Sequence, residues 1–149
     1  MLKSNRCAAF AAAVAAALIV QGCATPSRDQ LVANPRCADF DFQVYFTADS
    51  AAVPPAAQRV IADAANQAKG CPVAAVDVVG LADFRGPPEP NLTLSRQRAE
   101  AVANALGKTG FPAPGFTVQG QGQAGAVTEG GAIEPLHRRA DVYVRFSKP

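Results

Sequence analysis

GLADFRGPPEPNLTLSRQRA, Gly80 to Ala99, changes character twice within twenty residues. Just upstream, Val73 to Leu81 is a nearly continuous run of Val and Ala broken by Asp77, the composition of a central strand covered on both faces or nearly so. From Ser95 onward the spacing turns helical, with Leu94, Arg98, Ala101, Val102 and Ala105 on one stripe and Gly110 as the stop. Between them Gly80 and Gly86 permit a tight turn, while Pro87, Pro88 and Pro90 stiffen the chain and remove three N–H donors. The stretch reads as strand, open loop, helix, the repeating unit of a layered α/β domain.

The flanking sequence extends this pattern. Phe40, Phe42, Val44 and Phe46 alternate with Asp41, Gln43 and Tyr45, which predicts a strand. Pro54 and Pro55 suit a helix entry, and Val60, Ile61, Ala64, Ala65 and Ala68 recur at helical spacing before Gly70, giving a helix of about fifteen residues. Phe116 to Gln119 reads as a short strand and the glycines from Gly120 to Gly131 as a flexible connection. Ala140, Val142, Val144 and Phe146 alternate with Asp141, Tyr143 and Arg145 in a last strand. The predicted fold is α/β (α+β) in the order β-α-β-α-β-β, a mixed sheet packed with two main helices. Strands one and two, parallel through a helical crossover, would start at the same edge.

With 149 residues, 49% of them hydrophobic, the chain suffices for one domain with a buried core. Lys3 and Arg6 precede an apolar run from Ala8 to Val20, shorter than the roughly 20 residues a bilayer span needs, which fits a secretory signal rather than a permanent transmembrane helix. Val20-Gln21-Gly22-Cys23 resembles a bacterial lipobox, which implies cleavage before Cys23 and its acylation. The expected organisation is a lipoprotein signal peptide at 1–22, a lipidated polar tether at 23–36 and a folded domain at 37–149. Ala24 after the lipidated cysteine, by analogy with enteric sorting, points to a protein lipid-anchored in the outer membrane with its domain in the periplasm. Removing Lys3 and Arg6 leaves twelve basic against twelve acidic residues, and no basic run or Trp remains, so nucleic acid is not expected as a partner. Of the four cysteines, Cys37 and Cys71 remain as a pair in an oxidising compartment. They are read as a disulfide, the alternative being two buried thiols.

Asp83 falls just past the end of a central strand and Arg98 one turn inside the next helix, around the crevice where open α/β sheets bind ligands. A carboxylate and a planar guanidinium fork suit a zwitterion, each end meeting its opposite charge. Alternatively, Asp83 and Arg98 bond each other and brace the loop.

VYFTADSAAV (Val44 to Val53), the Gly80 to Ala99 block with Gly80, Asp83, Gly86, Asn91, Leu94, Ser95, Arg98 and Ala99 in register, VQGQG (Val118 to Gly122) and HRRADVYV (His137 to Val144) carry a resemblance. Together they resemble the OmpA-like peptidoglycan-binding domain shared by the C-terminal half of outer-membrane protein A, the peptidoglycan-associated lipoprotein and flagellar motor stator subunits. The resemblance implies non-catalytic binding of the meso-diaminopimelate in the peptidoglycan stem peptide, anchoring the outer membrane to the wall. It places Asp83 and Arg98 on that residue's ammonium and carboxylate. Asp49, Ser50, Asn91, and Arg138 or Arg139 would line or brace the pocket, although paired arginines at a strand start are also often solvated. Leu81 and Ala82 depart from the family's polar residue and Thr, and Thr47, Gln123 and His137 from its usual acid, Glu and Asn. These departures leave a second reading open, an envelope protein-interaction or assembly subunit with a degenerate wall site. No enzyme, metal or cofactor is expected. A single histidine without paired cysteines builds no zinc site, no G-x-S-x-G elbow occurs, and the glycine-rich stretch lacks the ending of a phosphate loop.

Overall fold

Period-two alternation in four segments produces one sheet, and two amphipathic helices cover its apolar face. The structure, a computed structural model, describes residues 37–134 and 136–148. The expected signal segment, the acylated Cys23 and the tether lie outside these residues. The elements are β1 (Phe40–Tyr45), α1 (Pro55–Ala68), β2 (Val73–Gly80), α2 (Pro88–Lys108), β3 (Thr117–Gly120) and β4 (Arg139–Phe146), the predicted order. The sheet order is β1-β4-β2-β3. The last strand inserts antiparallel between β1 and β2, and β3 runs parallel to β2 at the far edge.

Register aligns Val44 with Ala140, Phe42 with Val142, Val78 with Val142 and Val76 with Val144, so these side chains share one face. They form the core with Ala57, Ile61 and Ala68 of α1 and Ala99, Val102 and Leu106 of α2. The opposite face carries Asp41, Gln43, Tyr45, Asp77, Arg139, Asp141, Tyr143 and Arg145. The expectation that β2 is covered on both faces or nearly so is therefore corrected. Val76 and Val78 are buried under the helices, whereas Ala75, Asp77 and Val79 are half-buried only because they lie between neighbouring strands.

Helix α2 begins at Pro88, seven residues before the expected start, because Pro87 is an extended N-cap and Pro88 and Pro90 fall in the first turn, where no intrahelical N–H partner exists. The loop after β2 shrinks accordingly, and Arg98 stands about three turns into the helix rather than one. The buried stripe is also rotated from the predicted one: Asn91, Ser95, Arg98, Ala99, Val102, Ala103 and Leu106 face inward. Its first half is polar. Gly80 closes β2 without a positive φ, so it does not serve the turn. A Cβ there would lie 1.8 Å from the Ser95 carbonyl oxygen, and one at Gly120 would lie 2.7 Å from the Arg96 nitrogen, so both glycines let α2 rest directly on the sheet. Gly86, at φ +88°, does serve the turn.

Cys37 and Cys71 form a disulfide closing a loop of 34 residues, with Cα atoms 5.5 Å apart. It joins the starts of the parallel strands β1 and β2.

Candidate functional site

The site lies at the C-terminal end of β2, where the loops after β1, β2 and β3 and the start of β4 converge. Arg98, at 0% exposure, is the largest fully buried side chain and the hub of this convergence. Its Nε donates to the Ser50 carbonyl (2.9 Å), Nη1 to that of Leu81 (2.9 Å) and Nη2 to that of Thr47 (3.1 Å). The guanidinium also stands 5.3 Å from the centroid of the Phe46 ring. Burial lowers its pKa from the ordinary guanidinium value, with nearby Arg138 acting in the same direction and Asp83 and Asp49 opposing. Three carbonyl acceptors and the two carboxylates make a buried cation tolerable here.

Asp83 does not bond Arg98. Its Oδ2 accepts from Arg138 Nη1 at 3.3 Å, with the two side chains 20% and 32% exposed. This is long for a charge-assisted bond, so the pair is partly hydrated and open to exchange for other partners. Arg139, pointing to the other side of the strand, donates from Nε to Asp141 at 2.8 Å, and that bond is the main reason its pKa is raised. Period-two alternation thus sends only the first of the two arginines to Asp83.

Asn91, placed in the first turn of α2 by the early helix start, donates from Nδ2 to the carbonyls of Asp83 (3.1 Å) and Arg85 (2.9 Å) and to Gln123 Oε1 (3.0 Å). It braces the loop. Ser50 Oγ accepts from the Ala52 N–H at 3.1 Å, and Asp49 is exposed at φ 50° in the left-handed region. Among the expected site residues, the structure therefore gathers Asp83, Arg138, Arg98, Asn91, Asp49 and Ser50, and directs Arg139 away.

The departures prove to be structural parts of the site. Leu81 and Ala82 are buried, and the Asp83 position is set by backbone bonds instead of a hydroxyl. The Leu81 N–H donates to Arg139 O (2.8 Å), the Ala82 N–H to Gly122 O (2.7 Å), and the Ala82 carbonyl is 2.9 Å from His137 Nδ1. Thr47 contributes its carbonyl, which any residue supplies. Gln123 retains the acceptor oxygen that Asn91 needs. The bracing roles of Gln123 and His137 were not anticipated from the sequence, and the one visible signal was a lone histidine beside two arginines. Among the described residues, no group of three or more potential metal ligands occurs.

The OmpA family profile matches residues 45–139, which includes every residue of this site. The chain belongs to the OmpA family. The probable lipoprotein YiaD of Escherichia coli K12 is 33% identical over 123 residues, a match covering 83% of this chain. The chain spans about half the length of that relative, 54%. Among solved structures, the peptidoglycan-associated lipoprotein from Burkholderia pseudomallei is 27% identical with a TM-score of 0.53, the match covering 69% of this chain and 89% of that one. The OmpA-like domain of FopA1 from Francisella tularensis, at 19% identity and a TM-score of 0.62 over 82% and 90% of the two chains, shares the fold. OmpA-like domains are non-catalytic, and this one presents the partly exposed Asp83–Arg138 ion pair near the buried guanidinium of Arg98.

Proposed function

We propose that this OmpA-family domain binds peptidoglycan through the meso-diaminopimelate of the stem peptide, and that lipid on Cys23 holds it at the outer membrane, so that the protein ties the two layers together. The observation that carries the reading is the partly exposed Asp83–Arg138 pair at the end of β2, backed by the buried charge of Arg98. A diaminopimelate side chain ends in an ammonium and a carboxylate on one carbon. Its ammonium replaces Arg138 at Asp83, while its carboxylate enters the positive field of Arg138 and Arg98. One long ion pair is thereby exchanged for two, among side chains that are mostly shielded from solvent. Arg98, with three of its five N–H hydrogens bonded to carbonyls and no exposed surface, contributes through its charge to the carboxylate's side of the pocket. Each acyl-anchored copy needs only modest affinity, because many copies act along one wall.

The test is co-sedimentation of the full-length protein, in detergent, with isolated sacculi. Asp83→Ala is expected to reduce retention at least about tenfold, the worth of one charge-assisted contact. Undiminished retention of the Asp83→Ala protein would refute the assignment.

A further inference from the structure

Strand β1 has one edge inside the sheet and one outside it. The Phe46 N–H donates to Arg138 O (2.9 Å), and the antiparallel register carries the same inward orientation to Val44, Phe42 and Phe40. By the two-residue period, the N–H and C=O groups of Asp41, Gln43 and Tyr45 point away from β4, and among the described residues no strand meets them. Natural sheets blunt such an edge with lysine, proline, a bulge or a very short strand. β1 has none of these: it pairs with β4 over six residues without a register shift, and its one charge is Asp41. The other edge strand, β3, is four residues long and ends in glycine.

We infer that the outer edge of β1 pairs antiparallel with β1 of a second copy of this chain, about a two-fold axis at Gln43, so that two sheets become one. The strand's own sequence selects this partner and this register. Directly opposed residues lie on the same side of a sheet, so Asp41, Gln43 and Tyr45 must face one another and not Phe42 or Val44. An axis at Asp41 sets two carboxylates against each other. Axes at Phe42, Val44 or Tyr45 leave at least one of the three residues without a partner in the other copy's β1. An axis at Gln43 opposes Asp41 to the other copy's Tyr45 and Gln43 to itself, and every outward N–H and C=O of the three is then bonded. Amide faces amide and carboxylate faces phenol, with no like charges opposed. On the helix-covered side, Phe40 and Phe42 stack with ring centroids 6.3 Å apart and are only partly buried. The second copy's Phe42 lies diagonal to Phe42 and removes more of that surface from water. The axis reverses strand direction, so the two Asp83–Arg138 sites fall at opposite ends of the joined sheet, and the pairing does not depend on what those sites bind.

The experiment is sedimentation equilibrium of the full-length protein in density-matched detergent, with a dimer fraction expected to rise with protein concentration. Gln43→Pro removes an N–H that has no partner within the chain, a change an edge strand tolerates, and is expected to weaken the dimer at least about tenfold. Cysteine cross-linking reads the register independently of that variant's folding. Gln43→Cys, at an exposed position, puts two thiols opposite each other with Cα atoms about 5.5 Å apart, within disulfide reach, and is expected to form a covalent dimer on oxidation. Asp41→Cys places them four residues out of register, about 13 Å apart, and is expected to stay uncross-linked. A monomer at every concentration, a dimer that Gln43→Pro leaves equally tight, or cross-linking through Asp41→Cys rather than Gln43→Cys each overturn the proposal.

Discussion

Arg98 and Asp83 divide the work of the site between interior and surface. Arg98 ties the loop after β1, through Thr47 and Ser50, to the end of β2, through Leu81, and so fixes the backbone that carries both Asp49 and Asp83. Arg98→Ala leaves three carbonyls without their partner and opens a cavity, and it is expected to destabilise the fold by about 3–5 kcal/mol. Arg98→Lys keeps the charge but not the planar fork, and should fall between the two. Urea unfolding midpoints of the three proteins check this order. A loss below about 1 kcal/mol for Arg98→Ala, combined with abolished wall binding, would instead make Arg98 purely a ligand contact. That Asp83 and Arg98 belong to one site is legible from their positions at a strand end and on the following helix. Arg98's burial is not legible, because its acceptors lie 17, 48 and 51 positions away in sequence. The same holds for Gln123 and His137, whose bracing partners are 32 and 55 positions distant. Only the folded chain brings such donors and acceptors together.

At the scale of elements, the period of the apolar residues is enough to predict all four strands and both helices, and the errors have a common origin. The predicted stripe of Leu94, Arg98, Ala101, Val102 and Ala105 shares Arg98 and Val102 with the true inner face of α2 but misses Asn91 and Ser95, with which that face begins, and takes in Leu94, Ala101 and Ala105, which are not among its buried residues. Polar side chains belong inside there because each is satisfied. Ser95 Oγ, for example, donates to Leu92 O (2.8 Å) and accepts from the Gly122 N–H (2.8 Å), linking α2 to the loop after β3. Such a helix requires close backbone approach, which Gly80 and Gly120 allow. Gly80→Ala would drive a methyl into the Ser95 carbonyl and is expected to cost about 3 kcal/mol or more by pushing α2 off the sheet. Gly86→Ala meets no neighbour within 4 Å and should cost only its left-handed strain, about 1–2 kcal/mol. Thermal unfolding of the two variants separates packing from strain, and an equal loss in both would show that contact with Ser95 is not what selects glycine at position 80.

Among the described residues the sheet has two edge strands, β1, which pairs only with β4, and β3, which pairs only with β2, and β1 is the one that opens the fold. The Cys37–Cys71 bond supports this strand. It fastens the start of β1 to the start of β2, two parallel strands separated by β4, so the two edges of β4 are held between covalently joined partners at that end. At the opposite end Arg98 performs the corresponding task non-covalently, joining the loop after β1 to the end of β2. Edge strand β1 is thereby clamped at both ends, and the site sits at the non-covalent clamp. Closure of a 34-residue loop should contribute about 3–4 kcal/mol through the restricted unfolded chain, so reduction is expected to lower the unfolding free energy by that amount. The loss should also be local before it is global: in the reduced protein the amides of Phe40 to Tyr45 exchange hydrogen faster than those of β2, because local opening of an edge strand costs less than global unfolding. Hydrogen exchange of the oxidised and reduced forms at neutral pH measures both quantities. A reduced protein that keeps the oxidised protein's protection across β1 would mean that Arg98 and the Phe40–Phe42–Phe146 aromatic cluster hold the edge strand unaided.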